Sequence, residues 1–263
     1  MNNIICINTF IKIKDTFLLL DTLNNCVNSH KYQILISIDS TNNMPYLDKN
    51  DWIIQNKILK KELIKYIALK KYNFKLINLI ILNTNYGPYK ACQTIINLGF
   101  KFSDYVIFLE DDCVVSKDFL LYHEYMYNHY VYKYPKTFAI SGSLMYSPEK
   151  YDFPHSHIDK IYYANWIPSF EFGITYKIWK NFGYLRGLKP EGDIYFGQVC
   201  NNLDMHTFYP LIPRCYRNTY QADSYSKYYN QKTNQNFTTI LSNQDTEYMY
   251  DILDINNYIK ENI

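Results

Sequence analysis

Three consecutive carboxylates, Glu110, Asp111 and Asp112, directly follow a short apolar run over 105–109. A run this rich in β-branched and aromatic residues predicts a buried strand with both faces covered, as in the middle of a parallel sheet. The carboxylates would emerge at the carboxyl end of that strand, the edge where open α/β sheets bind ligands. Because adjacent carboxylates repel one another, a cation or hydrogen-bond donors must compensate them. The triplet therefore predicts a site for a divalent metal ion or a substrate.

The alternative for the triplet is a turn or a helix cap, since acidic residues often follow strands for those reasons. Ser116 and Asp118 already offer a cap for the helix that the sequence predicts from residue 116. The carboxylates are therefore not needed for capping, although the residues alone leave both interpretations open.

The length and composition of the chain indicate that it can bury a hydrophobic core, and its small net charge produces no strong electrostatic field. Its 263 residues are 48% hydrophobic, and 27 basic against 25 acidic side chains give a net charge of +2. That balance, with lysines dispersed along the sequence, argues against a nucleic-acid partner. The six cysteines lack a short paired spacing, and no segment offers the ~20 apolar residues of a membrane span. With no signal peptide recognised, these features predict a cytoplasmic protein without a membrane span, and they leave its oligomeric state open.

Strand and helix patterns alternate through the first half of the chain. The sequence predicts strands at 3–9, 32–39, 75–82 and 105–109, separated by helices at 15–27, 51–72 and 91–98. This alternation predicts an α/β fold with a mostly parallel sheet flanked by helices. The second half is less regular, and its predicted elements are a helix at 116–132, strands at 137–143 and 161–166, an aromatic turn at 167–173, helices at 175–181 and 189–202, a strand at 205–211, a loop at 216–236 and a terminal helix at 245–260.

The segment Tyr105–Phe119, with its strand, acidic triplet and helix, resembles the Glu-Asp-Asp motif of GT-A-fold glycosyltransferases. The nearest resemblance is to the family of N-acetylglucosaminyltransferase I and the related protein O-mannose enzyme. Tyr89–Ala91 is similar to that family's Tyr-Lys-Ile segment, and Trp166–Trp179 is similar to its acceptor loop and helix. Gly192–Ile194 falls where the family has its catalytic Asp-Asp-Trp segment. The resemblance implies one GT-A catalytic domain over 1–263, with a nucleotide-sugar half at 1–115 and an acceptor half at 116–263.

By this resemblance the protein is a metal-dependent, inverting glycosyltransferase of glycan biosynthesis. It would move a sugar, with GlcNAc as the first candidate, from a UDP-sugar to a hydroxyl of a glycan acceptor. Asp112 would bind Mn²⁺ or Mg²⁺ directly, and both ions accept oxygen ligands and retain waters or phosphate oxygens. Asp111 would face the ribose or a metal-bound water, and Glu110 would order the loop.

An acceptor hydroxyl needs a general base within hydrogen-bond reach. The resemblance assigns this role to Asp193, whose alternative is an ordinary helix cap. Glu191 and Glu171 are the reserve candidates for the base, and Glu171 could instead bind sugar hydroxyls.

Further donor-binding candidates lie at the ends of the predicted strands. Asn8 and Thr9 close the first strand and are candidates for nucleoside contact, and Asp39 ends the second strand where GT-A enzymes meet the nucleotide base. Asp39 could equally be a turn-forming residue. Lys90 is a candidate phosphate ligand or a solvated lysine.

Two other functions remain open from the sequence. One is a nucleotidyltransferase on a similar sheet, for which the segment 7–12 is a poor match because it lacks the glycines of a triphosphate-binding loop. The other is a catalytically silent sugar-binding protein that retains the fold.

Overall fold

The computed structural model of the protein describes residues 3–44, 50–144, 159–187, 192–218 and 251–252. The first half alternates strands and helices as the sequence predicts. Its elements are β1 (Asn3–Thr9), α1 (Ile13–Asn24), β2 (Tyr32–Ile38), α2 (Asn50–Leu69), β3 (Leu76–Ile81), α3 (Gly87–Gly99) and β4 (Tyr105–Glu110).

The second half adds shorter elements on the other side of β4. They are β5 (Cys113–Val115), α4 (Phe119–Met126) with a π-helical turn at Tyr127–Val131, β6 (Thr137–Ile140), β7 (Lys160–Ala164), β8 (Glu171–Thr175), α5 (Tyr176–Arg186), α6 (Gly192–Asn202), β9 (His206–Pro210), β10 (Cys215–Arg217) and β11 (Asp251–Ile252).

The described strands form one nine-stranded sheet and one small ribbon. The order in the sheet is β11-β7-β9-β6-β8-β4-β1-β2-β3, and β5 pairs with β10 in the ribbon. Strands β1, β2, β3 and β4 are mutually parallel, whereas β8 is antiparallel to both β4 and β6. The observed architecture is the α/β, mostly parallel sheet flanked by helices that the sequence predicts.

Three sequence-based expectations were wrong at particular residues. Glu171–Thr175 form β8, whereas the sequence predicts a turn up to residue 173. Asp251–Ile252 form β11 and pair with β7, whereas the sequence predicts a helix there; the rest of that predicted helix lies outside the described residues. Cys215–Arg217 form β10, although the sequence predicts a loop from residue 216.

The sheet is covered on both faces because strand side chains point alternately to its two sides. In β1, Ile5 and Ile7 pack into a core with α1, α2 and α4, while Ile4 and Cys6 pack into a second core with α3, α5 and α6. All four side chains are at most 1% exposed. Each isoleucine so buried stabilises the fold by about 2 kcal/mol, which holds the carboxyl ends of β1 and β4 side by side.

None of the helices within the described ranges is long and apolar enough to span a membrane.

Candidate active site

The acidic triplet lies where β4 ends. Glu110 is the last residue of β4, and Asp111 and Asp112 form the turn that leads into β5. Asp111 is 7% exposed and Asp112 is 3% exposed. Because β1 is parallel to β4, the connection after β1 begins at the same edge of the sheet and supplies the partners of these carboxylates.

Two residues of the β1–α1 connection hold the carboxylates in place. Thr9 Oγ1 donates to Asp111 Oδ2 at 2.8 Å. Lys12 Nζ donates to Asp112 Oδ2 at 2.7 Å and lies 3.8 Å from Asp111 Oδ1. Lys12 thus provides a positive charge for two of the three carboxylates, while about half of its own side chain stays open to solvent.

The second cation comes from β10, at the far end of the described chain. Arg217 donates from Nη2 to Glu110 Oε2, and its Nε lies 3.7 Å from Asp112 Oδ1. Its guanidinium also lies over the ring of Phe170, 5.0 Å from the centroid. The ribbon of β5 and β10 brings Arg217 here, because Arg217 pairs with Cys113, the residue after Asp112.

The ionisation of the cluster reflects burial against these charges. Burial raises the pKa of Asp111 to about 7, although Lys12 and the hydrogen bond from Thr9 oppose the shift. Burial likewise raises the pKa of Glu110, against the opposing charge of Arg217. Burial disfavours the charge of Lys12, but Asp111 and Asp112 outweigh it and raise the pKa of the ammonium. The three carboxylates are thus held close together by two cations.

A pair of buried polar atoms in this cluster lacks a hydrogen bond. Asp112 Oδ1 and Arg217 Nε are both buried without a hydrogen-bond partner among the described residues, and the 3.7 Å between them is too long for one. Leaving such groups unpaired costs free energy, about 1–3 kcal/mol each. A ligand that supplies a cation or water to Asp112 and an oxygen to Arg217 would remove that cost.

The donor atoms fit a divalent ion only in part. Within the described part of the chain, no three His, Cys, Asp or Glu side chains are grouped to hold a metal ion. Asp112 Oδ1, which is buried without a hydrogen-bond partner among the described residues, is the triplet oxygen that could bind a cation. The site therefore fits an ion bound through Asp112 and completed by phosphate oxygens and waters, as Mg²⁺ and Mn²⁺ accept.

The carboxylate of Asp39 is engaged by backbone donors. Asp39 follows β2, is 3% exposed and accepts hydrogen bonds from the amides of Ser40 (2.8 Å), Tyr86 (3.0 Å) and Gly87 (2.9 Å). Gly87 has a φ of 70°, a left-handed conformation that glycine adopts at little cost. Asp39 therefore orders the start of α3, and its contact with a nucleotide base stays a prediction.

The remaining donor-binding candidates occupy three different environments. Asn8 Oδ1 accepts from Ser37 Oγ at 3.0 Å on the neighbouring strand. Thr9 is 1% exposed and supports Asp111, so its observed contact is with the triplet. Lys90 is exposed in the first turn of α3 and donates to Gln93 Oε1 at 2.7 Å. Nucleoside or phosphate contact by these residues stays a prediction.

Glu171 is not placed to act as the base or to bind a sugar hydroxyl. It is 0% exposed, its Oε1 lies 3.0 Å from His123 Nε2, and its Oε2 accepts from Ser141 Oγ and from the amides of Gly142 and Ser143 at 2.8–3.1 Å. A buried carboxylate needs such partners, and with them it has no open position for a substrate. Glu171 is therefore a structural residue, and the expectation of a substrate role is corrected.

The network around Glu171 also explains a glycine of the predicted acceptor segment. Tyr105 Oη and His123 Nδ1 share a hydrogen bond of 2.8 Å, and both lie against Gly173. A Cβ at Gly173 would come within 1.8 Å of Tyr105 Oη and 2.8 Å of His123 Nδ1. Gly173 is thus required by the buried network beneath the site.

The two other candidates for the base have no described side chains. Glu191 lies outside the described residues, and Asp193 lies in the first turn of α6. The backbone gives the direction of this helix: β9 follows α6 after a short connection and is parallel to β6, which has the same direction as β4. The amino-terminal end of α6 therefore points to the edge of the sheet that carries the triplet.

Sequence reasoning missed the cations of the site. Lys12 had one available signal, its place directly after the first strand, whereas Arg217 follows the triplet by more than 100 residues and has no local motif. Arg186, also missed, is 1% exposed and donates from Nη2 to Ser169 O at 2.8 Å, which fixes the segment before β8.

The fold and the edge on which the triplet lies define an α/β protein of the GT-A type, as the sequence predicts. No family model matches the chain, and a comparison with curated proteins gives no match. Among solved structures the chain is similar to S. aureus TarS 1-349, with a TM-score of 0.52 and 15% identity over 82% of this chain and 60% of that chain. TarS 1-349 in complex with UDP-GlcNAc gives a TM-score of 0.54 and 13% identity, over 86% and 61%.

The chain thus spans about three fifths of the length of these TarS structures. At such identities the similarity concerns the fold. The finer resemblance, to the family of N-acetylglucosaminyltransferase I, stays a prediction.

Proposed function

We propose that the protein is a metal-dependent, inverting glycosyltransferase that moves a sugar from a UDP-sugar to a hydroxyl of a glycan acceptor. The observation that carries this proposal is the buried, unpaired oxygen of Asp112 beside Lys12 and Arg217, at the carboxyl end of the central strand. The similarity in fold to a protein solved with UDP-GlcNAc supports it and makes UDP-GlcNAc the first donor to test.

The cluster has the charges that a nucleoside diphosphate requires. Lys12 and Arg217 are each about half exposed, so both can turn toward phosphate oxygens without leaving the carboxylates. Charged donors fixed around a leaving group stabilise the negative charge that develops on it. Here that charge develops as the bond between the sugar C1 and the β-phosphate oxygen breaks.

A divalent ion held by Asp112 would supply Lewis-acid stabilisation of the diphosphate. Asp111, held by Thr9, contributes a second carboxylate to the site. Glu110 fixes Arg217 and so sets the position of the guanidinium.

The acceptor hydroxyl attacks C1 on the face opposite the leaving diphosphate, and a base must accept its proton. We propose Asp193 for this role, because α6 begins at the edge that carries the triplet. In this arrangement residues 1–115 form most of the donor site, Arg217 adds a cation to it from the second half of the chain, and the other residues from 116 onward bind the acceptor. Glu191 remains the reserve candidate for the base.

The experiment is a UDP-release assay on a panel of nucleotide sugars, with Mn²⁺, with Mg²⁺ and with a chelator. We expect release that depends on the metal ion, and we expect Asp112→Asn to abolish it. Asp104→Asn is the matched control, since Asp104 is exposed at the other end of β4. Calorimetric titration with UDP should show binding to the parent and weaker binding to Asp112→Asn.

Two results would contradict the proposal. If Asp112→Asn and the parent bind UDP with equal affinity, a metal ion held by Asp112 is not part of the donor site. Release of pyrophosphate from UTP and a sugar phosphate would instead indicate a nucleotidyltransferase, and UDP-sugar binding without turnover would indicate a silent sugar-binding protein.

A further inference from the structure

The outer face of α2 exposes large apolar side chains that no described element covers. The helix buries Asn56, Leu59 and Leu63 against the first core. On the opposite side, four large apolar residues are 48–75% exposed, namely Ile54, Ile58, Ile64 and Leu69. Large exposed apolar groups gathered on one surface are typical of an interaction site.

Lysines lie between these apolar residues. Lys57, Lys61 and Lys65 are spaced four residues apart, so they form one row along the exposed side of the helix. All three are exposed, and none makes an ion pair with another described residue. We call Ile54, Lys57, Ile58, Lys61, Ile64, Lys65 and Leu69 the α2 outer face.

The segment that contains this face is basic. Residues 50–75 contain seven lysines, no arginine and two acidic residues, a net charge of +5, whereas the whole chain has a net charge of only +2. The rest of the chain is therefore net acidic, at −3. Three of these seven lysines, Lys57, Lys61 and Lys65, lie on the α2 outer face.

A groove borders the same face. An open cavity of about 480 Å³ lies between α1 and α2, and its lining consists of the apolar or aromatic Phe17, Tyr66 and Leu69 and the charged Glu62, Lys65 and Lys70. Lys70 is already paired with Asp21, so Lys65 and Glu62 are the charged side chains left at this groove. The groove thus extends the apolar surface of the face without adding to its net charge.

We propose that the α2 outer face is a docking surface for a membrane rich in anionic phospholipid. The lysine row matches the negative surface of such a membrane, and the isoleucines between the lysines can enter the boundary between headgroups and acyl chains. A second copy of the chain would set lysine against lysine across a two-fold axis, which is repulsive. A nucleic acid would leave the four apolar residues without a partner.

The docking surface is connected to the candidate site through the first turns of α2. Asn56 donates from Nδ2 to Phe10 O at 2.6 Å and to Asp39 O at 2.9 Å, and the rings of Phe10 and Trp52 pack edge to face at 5.8 Å. A membrane that holds α2 therefore also fixes the position of the site relative to the lipid surface. The inference does not require the proposed glycosyl transfer.

The test is flotation of the whole protein with vesicles of phosphatidylcholine containing about a third phosphatidylserine, against vesicles of phosphatidylcholine alone. We expect binding to the anionic vesicles only, and weaker binding at high salt. Lys57→Gln/Lys61→Gln/Lys65→Gln should lower the partition coefficient about a hundredfold, since each lysine near an anionic surface contributes about fivefold. The matched control is Lys101→Gln/Lys177→Gln/Lys180→Gln, three exposed lysines on the opposite side of the sheet.

A second variant tests the apolar contribution separately. Ile54→Ser/Ile58→Ser keeps every charge and should also weaken vesicle binding, with a thermal unfolding midpoint close to that of the parent because both side chains are exposed. Equal binding of the parent and the lysine variant to anionic vesicles would overturn the proposal. The absence of binding of the parent to anionic vesicles would also overturn it. A dimer that the isoleucine variant dissociates, or an affinity for nucleic acid that the lysine variant loses, would then identify the occupant of the face.

Discussion

Lys12 Nζ lies 2.7 Å from Asp112 Oδ2, so an ammonium from the β1–α1 connection and a carboxylate from the β4–β5 turn meet across 100 residues of sequence. They meet because β1 and β4 are parallel neighbours whose carboxyl ends coincide. The other oxygen of Asp112 faces Arg217 at 3.7 Å without a hydrogen bond. Asp112 is thus placed between two cations that a diphosphate could share.

The first prediction concerns Lys12 as a donor-binding residue. We expect Lys12→Met to weaken UDP binding about tenfold, about 1.4 kcal/mol, because a half-exposed ammonium at this edge is lost. Isothermal titration with UDP measures the effect. Lys14→Met is the control, since Lys14 is exposed in the first turn of α1 and makes no ion pair with a described residue. Unchanged affinity in Lys12→Met would exclude Lys12 from the donor site.

The second prediction follows from the pKa of Asp111, which burial raises to about 7 from an ordinary value of 3.8. The unfolded chain releases this proton near pH 4 and the folded chain near pH 7, so the group lowers the free energy of unfolding as the pH rises through that window. Above about pH 7 the contribution stays constant. We therefore expect Asp111→Asn to gain stability relative to the parent between pH 5 and pH 8, on the order of 2 kcal/mol.

Urea unfolding at both pH values, in the presence of a chelator, measures this difference. Asp104→Asn should follow the parent at every pH, because its side chain is exposed. Parallel pH profiles of the parent and Asp111→Asn would contradict the raised pKa.

The third prediction tests the structural assignment of Glu171. In Glu171→Gln the amide nitrogen cannot accept hydrogen bonds, so the amides of Gly142 and Ser143 or the ring of His123 lose a partner. We expect the free energy of unfolding to fall by about 2–4 kcal/mol. Glu124→Gln, which removes a partly exposed ion pair with Lys31, should cost less than about 1 kcal/mol. A loss of turnover without a loss of stability in Glu171→Gln would restore a catalytic role.

The strands around the site could be predicted because their local patterns are strong. The apolar runs of β1, β2 and β4 are nearly continuous, as buried parallel strands require, and the acidic triplet directly follows one of them. The sequence therefore predicted the fold and the edge of the sheet on which the triplet lies. It could do so because burial on both faces leaves few other arrangements for such runs.

The elements that were missed depend on distant partners. Glu171 is a charged residue at the start of β8, so the sequence pattern there does not indicate a strand. The contacts that stabilise Glu171 come from distant residues, His123 and the segment 141–143. Ile252 joins the sheet through pairing with β7, which overrides a local helical pattern. Arg217 likewise reaches the triplet only because β10 pairs with β5.

The last prediction concerns Asp193, which the backbone of α6 places toward the edge that carries the triplet. If Asp193 is the base, Asp193→Asn should retain the UDP affinity of the parent and lower transfer to an acceptor by at least about a hundredfold, the usual contribution of general-base catalysis. UDP release in the presence of the acceptor gives the rate, and calorimetry gives the affinity. Asp204→Asn, an exposed change on the turn after α6, is the control and should leave both unchanged. If Asp193 is only a helix cap, Asp193→Asn should retain full transfer, because asparagine caps a helix about as well as aspartate does.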